Sequence, residues 1–342
     1  MLQNRNHILI VLLTITALLW FFVDLSSGSV RIPLSDTFKA LTGQDSAKTT
    51  WDYIILNYRL PKALTAVLAG IGLSVCGLLM QTLFRNPLAG PYVLGLSSGA
   101  SLGVAIVVLG INILPISFAS YLESDYIVVL ASCIGSMIVL AAVLLVSQRL
   151  RDTMGILIVG LMFASFTSAV VSVFTYFSTA EQLQRFTFWS LGNLGSMTWE
   201  SIIIMTSAVA IGLILCLFSI KPLNALLLGE NYAQSLGINI RKTRILILLT
   251  TGILAGSITA FVGPIAFVGL AVPHIAKLVF SSSDHKILLI GTILCGANIM
   301  LVCDILSQVP GSDFTLPINA VTSLFGAPVV IWLLLRQTKM QR

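Results

Sequence analysis

Apolar runs, most of them close to twenty residues, recur along this chain, separated by short breaks rich in charge, glycine or proline. They fall at 8–25, 63–84, 92–111, 126–147, 154–178, 201–220, 245–263, 265–280, 287–306 and 317–335. A helix needs about twenty apolar residues to cross the roughly 30 Å hydrocarbon layer, so the pattern predicts ten membrane-spanning helices. The stretch 245–280 is apolar almost throughout. As one helix it would run about 54 Å at 1.5 Å per residue. Gly263 and Pro264 offer the break that makes it two passes. In the first run, Trp20, Phe21 and Phe22 stand where a signal-peptide cleavage site needs small residues, so 8–25 reads as a retained span.

The segments between the runs carry their own signals. The turn FRNPLAGP at 84–91 contains Pro87, Gly90 and Pro91, which cannot continue a helix comfortably. The run after it carries Gly95, Gly99 and Gly103, a small-xxx-small face on which a neighbouring helix can approach closely. The segment 26–62 predicts a short helix after Pro33 and an amphipathic piece at 51–58, followed by a charged RLPK entrance at 59–62. The segment 185–199, RFTFWSLGNLGSMTW, suits a short helix and then a turn. Residues 221–244, KPLNALLLGENYAQSLGINIRKTR, read as two short helices split near Gly229. That loop is too short to span and too apolar to be left in water, so it either docks on a partner or lies on lipid.

Composition agrees with the pattern: 342 residues, 57% hydrophobic and only 9% charged, where soluble domains hold about 25% charged residues. The net charge of +6 reflects topology rather than nucleic acid. With the N-terminus inside, 13 of the 19 basic residues fall on cytoplasmic segments, whereas a nine-span chain would carry its basic tail outside. Ten spans put both termini in the cytoplasm.

Chemistry is sparse. The chain has no G-x-x-x-x-G-K-[ST] phosphate loop. Cys76, Cys133, Cys216, Cys295 and Cys303 form no CxxC pair and read as packing residues. His7 and His285 are assigned to loops and His274 to packing, so no metal site and no catalytic group is predicted. Asp304 and Lys277 lie near span ends, where side chains reach the interface. An ion-coupled secondary carrier usually shows a charge at mid-depth, which is missing here. The fifth run carries Ser165, Ser168, Ser172 and Thr175 on one helical face. They form either the neutral wall of a translocation path or a set of hydroxyls bonded within their own helix or across a packed interface.

The motifs RLPK at 59–62, MQTLFRNPLAGPYVLGLSSGA at 80–100, LLLGENYAQSLGI at 226–238, GPIAFVGLAVPHIAK at 263–277 and LFGAPVVIWLL at 324–334 occur in one order across the chain. In this the chain resembles the FecCD family, the permease subunits of ABC importers for cobalamin, haem and ferric siderophores. The resemblance implies an all-α integral membrane protein of about ten helices, the type II importer permease fold, as one polytopic domain over 1–342. It implies a second permease copy, two cytoplasmic ATPase subunits that bind the ATP and Mg, and a periplasmic or lipid-anchored substrate-binding protein, in a bacterial inner membrane. The permease itself would hold no cofactor and catalyse nothing.

By the same resemblance, Arg59 and Lys62 would meet carboxylates of the binding protein, Lys62 standing where the family more often has Arg. A further basic residue expected after the ninth span is replaced by Gln308. Gly229, Glu230, Ala233, Leu236 and Gly237 would form the ATPase coupling site within 221–244. Asn86 and Leu88, with Asp152 and Thr153, would form the inner gate, and the hydroxyl stripe on the fifth span would line the path. An iron chelate, haem or ferric siderophore, is the expected cargo, leaning on FWSLGNLG at 188–195. Cobalamin is the alternative, and an ion-coupled secondary transporter the more distant one.

Overall fold

The computed structural model describes residues 2–110, 125–147, 149–150, 153–308 and 314–340. Fourteen α-helices lie among these residues, which we number in order: α1 Leu2–Ser26, α2 Leu34–Leu41, α3 Thr49–Ile54, α4 Leu60–Leu83, α5 Leu96–Val108, α6 Asp125–Ser147, α7 Thr153–Tyr176, α8 Ala180–Ser190, α9 Trp199–Leu226, α10 Glu230–Ser235, α11 Ile240–Val262, α12 Val268–Phe280, α13 His285–Ser307 and α14 Ile318–Met340. Apart from one isolated bridge between Gln308 and Thr315, regular structure among the described residues is helical. Among the described residues seven helices are long and apolar enough to cross a membrane, and three shorter apolar ones are Leu96–Val108, Val268–Phe280 and Ile318–Trp332. A helix satisfies its backbone groups internally, so apolar side chains can face outward into hydrocarbon. The exposed stripe Ile8, Val11, Leu12, Ile15, Leu18 and Leu19 of α1 is such a surface.

Boundaries depart from the sequence pattern in four places. The RLPK segment is not a loop: α3 continues through a π-turn, Ile55–Arg59, directly into α4. The run expected at 92–111 is helical only over 96–108, about 20 Å of rise. Pro91 opens a 3₁₀ turn and Gly95 is left-handed at φ 73°, so α5 cannot start earlier. The first half of the 221–244 loop is not a separate helix, because α9 runs on through Pro222 to Leu226. Finally, His7 and His285 are helical rather than in loops, and His285 is buried as the first residue of α13. The break at Gly263 and Pro264 is as expected: α11 ends at Val262, Gly263 adopts φ 82°, and α12 starts at Val268.

The chain divides into two compact units, Met1–Val75 with Asn193–Ser207 and Ile265–Arg342, and Cys76–Gly192 with Ala208–Pro264. In the first unit α1 packs along α13, where Asn298 Nδ2 donates to the Leu13 carbonyl at 3.0 Å. The early turns of α4 also meet α13, and Ser74 Oγ donates to the Thr292 carbonyl at 3.1 Å. Helices α2 and α3 form a small layer over buried Ile32, Ala40 and Ile55.

In the second unit α5 crosses α6 at backbone contact. A Cβ on Gly99 would stand 2.6 Å from the Gly135 carbonyl oxygen, and one on Gly103 would collide with that of Ala131. Two of the three glycines predicted to form a close-approach face therefore do so; Gly95 instead packs outside the helix, against the Gly160 carbonyl. Helix α8 starts in a capping box, Thr179 and Gln182 bonding each other's backbone N–H. Its Leu183, Phe186 and Trp189 cover a cluster of Val104, Val108 and Val128.

Candidate functional site

Arg59 and Lys62, the predicted docking pair, are one helical turn apart in the first unit and already engaged there. Arg59 donates through Nη1 to the Leu25 carbonyl at 2.8 Å and through Nη2 to the Val30 carbonyl. The π-turn aims it at the chain leaving α1. Lys62 Nζ lies 2.9 Å from Asp304 Oδ1. Asp304 is 1% exposed, so its position near a span end does not carry it to the interface as expected. A buried carboxylate needs a partner, and Lys62 with the Ser307 hydroxyl (3.2 Å) supplies it. Gln308, the residue standing in for a missing base, donates to Asp24 Oδ1 at 3.1 Å, and Asp24 is 3% exposed. Between these groups lies a pocket of about 320 Å³ lined by Gly28, Tyr58, Arg59, Lys62, Gln308 and Phe314 among others.

The predicted gate and coupling residues share the second unit. At the end of α4, Asn86 Oδ1 accepts from the Leu88 N–H at 2.9 Å, a tight turn that leaves Leu88 exposed. Thr153 opens α7, and Asp152 lies outside the described residues. In the predicted coupling loop Gly229 has φ 119°, a backbone region open in practice to glycine alone, and it separates α9 from α10. Gly237 is also left-handed (φ 82°) and ends α10, with Ile238 N–H bonded back to the Ala233 carbonyl at 3.1 Å. Ala233 is wholly buried on Ala225 and Leu226, while Leu227, Leu228, Tyr232 and Leu236 (57%) are exposed. Glu230 pairs with Arg244 at 3.8 Å. The loop thus has a packed underside and an uncovered apolar top.

The hydroxyl stripe lies on α7. Ser165, Ser168 and Ser172 are exposed and Thr175 half-buried. Ser165 donates to the Leu161 carbonyl at 3.0 Å and Ser172 to that of Ser168 at 2.9 Å. Hydroxyls bonded back to their own helix present a polar but neutral face with no unmet demand.

Sequence reasoning overlooked the buried carboxylate Asp24 and two arginines, Arg85 and Arg244, and it placed Asp304 at the interface rather than in the interior. A carboxylate at the end of an apolar run is the available signal for Asp24. Arg85 carries no such signal, since a positive charge beside a turn reads as topology. Among the described residues no group of three His, Cys, Asp or Glu is arranged to hold a metal, and all five cysteines are free thiols.

Comparison with known proteins covers nearly the whole chain. The model of the FecCD transport family matches residues 14–336. The hemin transport system permease HmuU of Yersinia pestis is 36% identical over 322 residues, 94% of each chain. The vitamin B12 import system permease BtuC of Klebsiella pneumoniae is 34% identical over 335 residues, 98% of this chain and 95% of that one. Among solved structures, an ABC transporter assigned to the metal-chelate type, in an inward-facing conformation, superposes with a TM-score of 0.83. It is 28% identical and the match covers 96% of this chain and 99% of that one.

Proposed function

The chain belongs to the FecCD transport family, and from that premise we propose that it is the membrane-spanning permease of an ATP-driven importer for an iron chelate, haem or a ferric siderophore. The observation that carries the reading is the α10 loop, apolar and uncovered above, packed and hydrogen-bonded below. Such a surface fits a cleft on a cytoplasmic ATPase, with ATP and Mg held on that separate chain. The seven long helices and the three shorter apolar ones together make ten spans of the type II importer fold in a single polytopic domain, both termini in the cytoplasm of a bacterial inner membrane. A second copy completes the path, and the exposed hydroxyl face of α7 lines it.

A substrate-binding protein docks at the Arg59 and Lys62 end. Each side chain keeps donors beyond those its internal bonds use, and the adjoining pocket has room for an incoming carboxylate side chain. ATP-driven closure of the ATPases displaces α10, and the spans tilt as rigid bodies so that the two ends seal alternately. The chelate crosses by exclusion and release along neutral hydroxyls, with Asn86, Leu88, Asp152 and Thr153 at the inner constriction. The 34% identity to a vitamin B12 permease makes cobalamin the second reading.

The test is reconstitution with the candidate ATPase and binding protein, offering hemin, a ferric siderophore and cobalamin in turn. ATP-dependent uptake of an iron chelate, absent without the ATPase, is expected. Uptake driven by an ion gradient alone would replace the reading with a secondary carrier.

A further inference from the structure

Two arginines in the second unit hold the α10 loop to the turns that end α4 and α6. Arg85 lies in the turn 84–90 and donates through Nη2 to the Leu226 carbonyl, the last residue of α9, at 2.8 Å. The same Nη2 is the neighbour a Cβ on Gly229 would meet, at 3.5 Å. Arg244 is the fifth residue of α11 and is 6% exposed. Its Nη1 donates to the Leu150 carbonyl at 3.1 Å, just beyond α6, while its Nη2 faces Glu230 of α10 at 3.8 Å. The Arg244 guanidinium therefore bridges the loop and the Leu150 turn, and Arg85, itself part of the 84–90 turn, reaches the loop through its guanidinium. A planar fork with fixed donor directions suits such a bridge better than a flexible ammonium.

Backbone conformation gives a second, independent observation. Arg85 is left-handed, φ 46°, at the end of α4. Asn86 N–H bonds to the Gln81 carbonyl at 3.2 Å and Arg85 N–H to that of Thr82 at 3.3 Å, the Schellman pattern in which glycine is the ordinary occupant. A non-glycine residue here costs stability, and the turn itself asks for nothing that an arginine supplies. What the arginine adds is the bond to Leu226.

We propose that Arg85 and Arg244 are the positioning residues that link the α10 loop to the 84–90 turn and to the Leu150 turn, so that displacement of α10 reaches both at once. The inference rests on the coupling-loop reading above. It places force transmission in two charge-assisted bonds to carbonyls, beside whatever the helices transmit by packing. Removing Arg85 then leaves the ATPase attached and turning over while the 84–90 turn stops responding.

The experiment uses the permease reconstituted with its ATPase and binding protein, with Leu88→Cys as reporter, Cys133→Ser in the background, and a water-soluble maleimide as probe. In the parent, MgATP is expected to change the rate of labelling. Arg85→Gly, which suits the left-handed turn, is expected to shrink that change by about fivefold or more with ATP turnover within about twofold of the parent. Arg244→Lys is expected to shrink it less, and Lys242→Gln, an exposed side chain on α11, not at all. An unaltered ATP-linked change in Arg85→Gly and Arg244→Lys overturns the proposal, as does loss of Arg85→Gly from the membrane, which would make the arginine a folding residue. If the parent itself binds no ATPase or shows no ATP-linked change, the coupling-loop reading fails, and the proposal with it.

Discussion

Asp304 and Lys62 show how much a single pair decides. The carboxylate is nearly inaccessible and its ammonium is 20% exposed, so removing one partner strands a charge. Asp304→Ala is expected to lower stability by about 3 kcal/mol, whereas Lys62→Met combined with Asp304→Leu recovers most of the loss, because an apolar pair of similar volume avoids the desolvation cost. Thermal unfolding of the protein in lipid nanodiscs, run as a double-mutant cycle, measures both. Equal losses in the single and double variants would show that the pair is not the unit of stability. Arg59 and Lys62 were readable from the RLPK motif, but their partners were not. Leu25, Val30 and Asp304 are brought to them by α1 and α13, and no periodicity records which charge meets which carbonyl.

Among elements, the α5–α6 crossing depends on glycine where the backbones touch. Gly103→Val is expected to cost about 1–3 kcal/mol, since the added atoms meet the Ala131 backbone and cannot be accommodated by a side-chain rotation. Gly90→Ala, with open space around it and an ordinary φ of −119°, is expected to change the unfolding midpoint little. The α10 loop divides in the same way. Leu236→Asp is expected to release the ATPase in co-purification while the permease unfolds at its usual temperature, because Leu236 touches little within the chain. Ala233→Asp is expected to destabilise the loop itself, since Ala233 is wholly buried. Glu230→Lys is a poor probe of docking, because it would set a lysine against Arg244. The small-xxx-small spacing made the crossing legible in advance. The continuity of α9 through Lys221 and Pro222 was not, because a charged residue followed by proline reads as a helix end unless the surrounding turns carry on.

For the whole molecule, the contrast between two exposed faces is informative. The stripe on α1 carries a single exposed hydroxyl, Thr14, among its apolar side chains, whereas α7 exposes Ser165, Ser168 and Ser172 among Leu161, Met162 and Phe166. Lipid explains the first face. On the proposed reading, a water-filled path shared with a second copy meets the second. Ser168→Cys is therefore expected to react with a water-soluble maleimide during ATP turnover, and Ile15→Cys to stay unreactive. Equal reactivity at both positions would remove α7 from the path. Native mass measurement of the detergent-solubilised permease is expected to show two copies.

The sequence by itself determined the helical class, the membrane as solvent, the near-placement of the long spans and the break at Gly263, because hydrocarbon imposes length and hydropathy on each helix separately. It also placed the apolar loop after α9, whose composition suits neither water nor a span. Tertiary structure alone decided which polar groups are consumed inside the chain and which remain available. Lys62 pairs with Asp304 and keeps further donors, while Gln308 pairs with Asp24, Arg85 with Leu226, and Arg244 with Leu150 and Glu230. These pairings join residues apart in sequence, and because a buried polar group needs a partner, each is settled by what the packing of helices brings within reach.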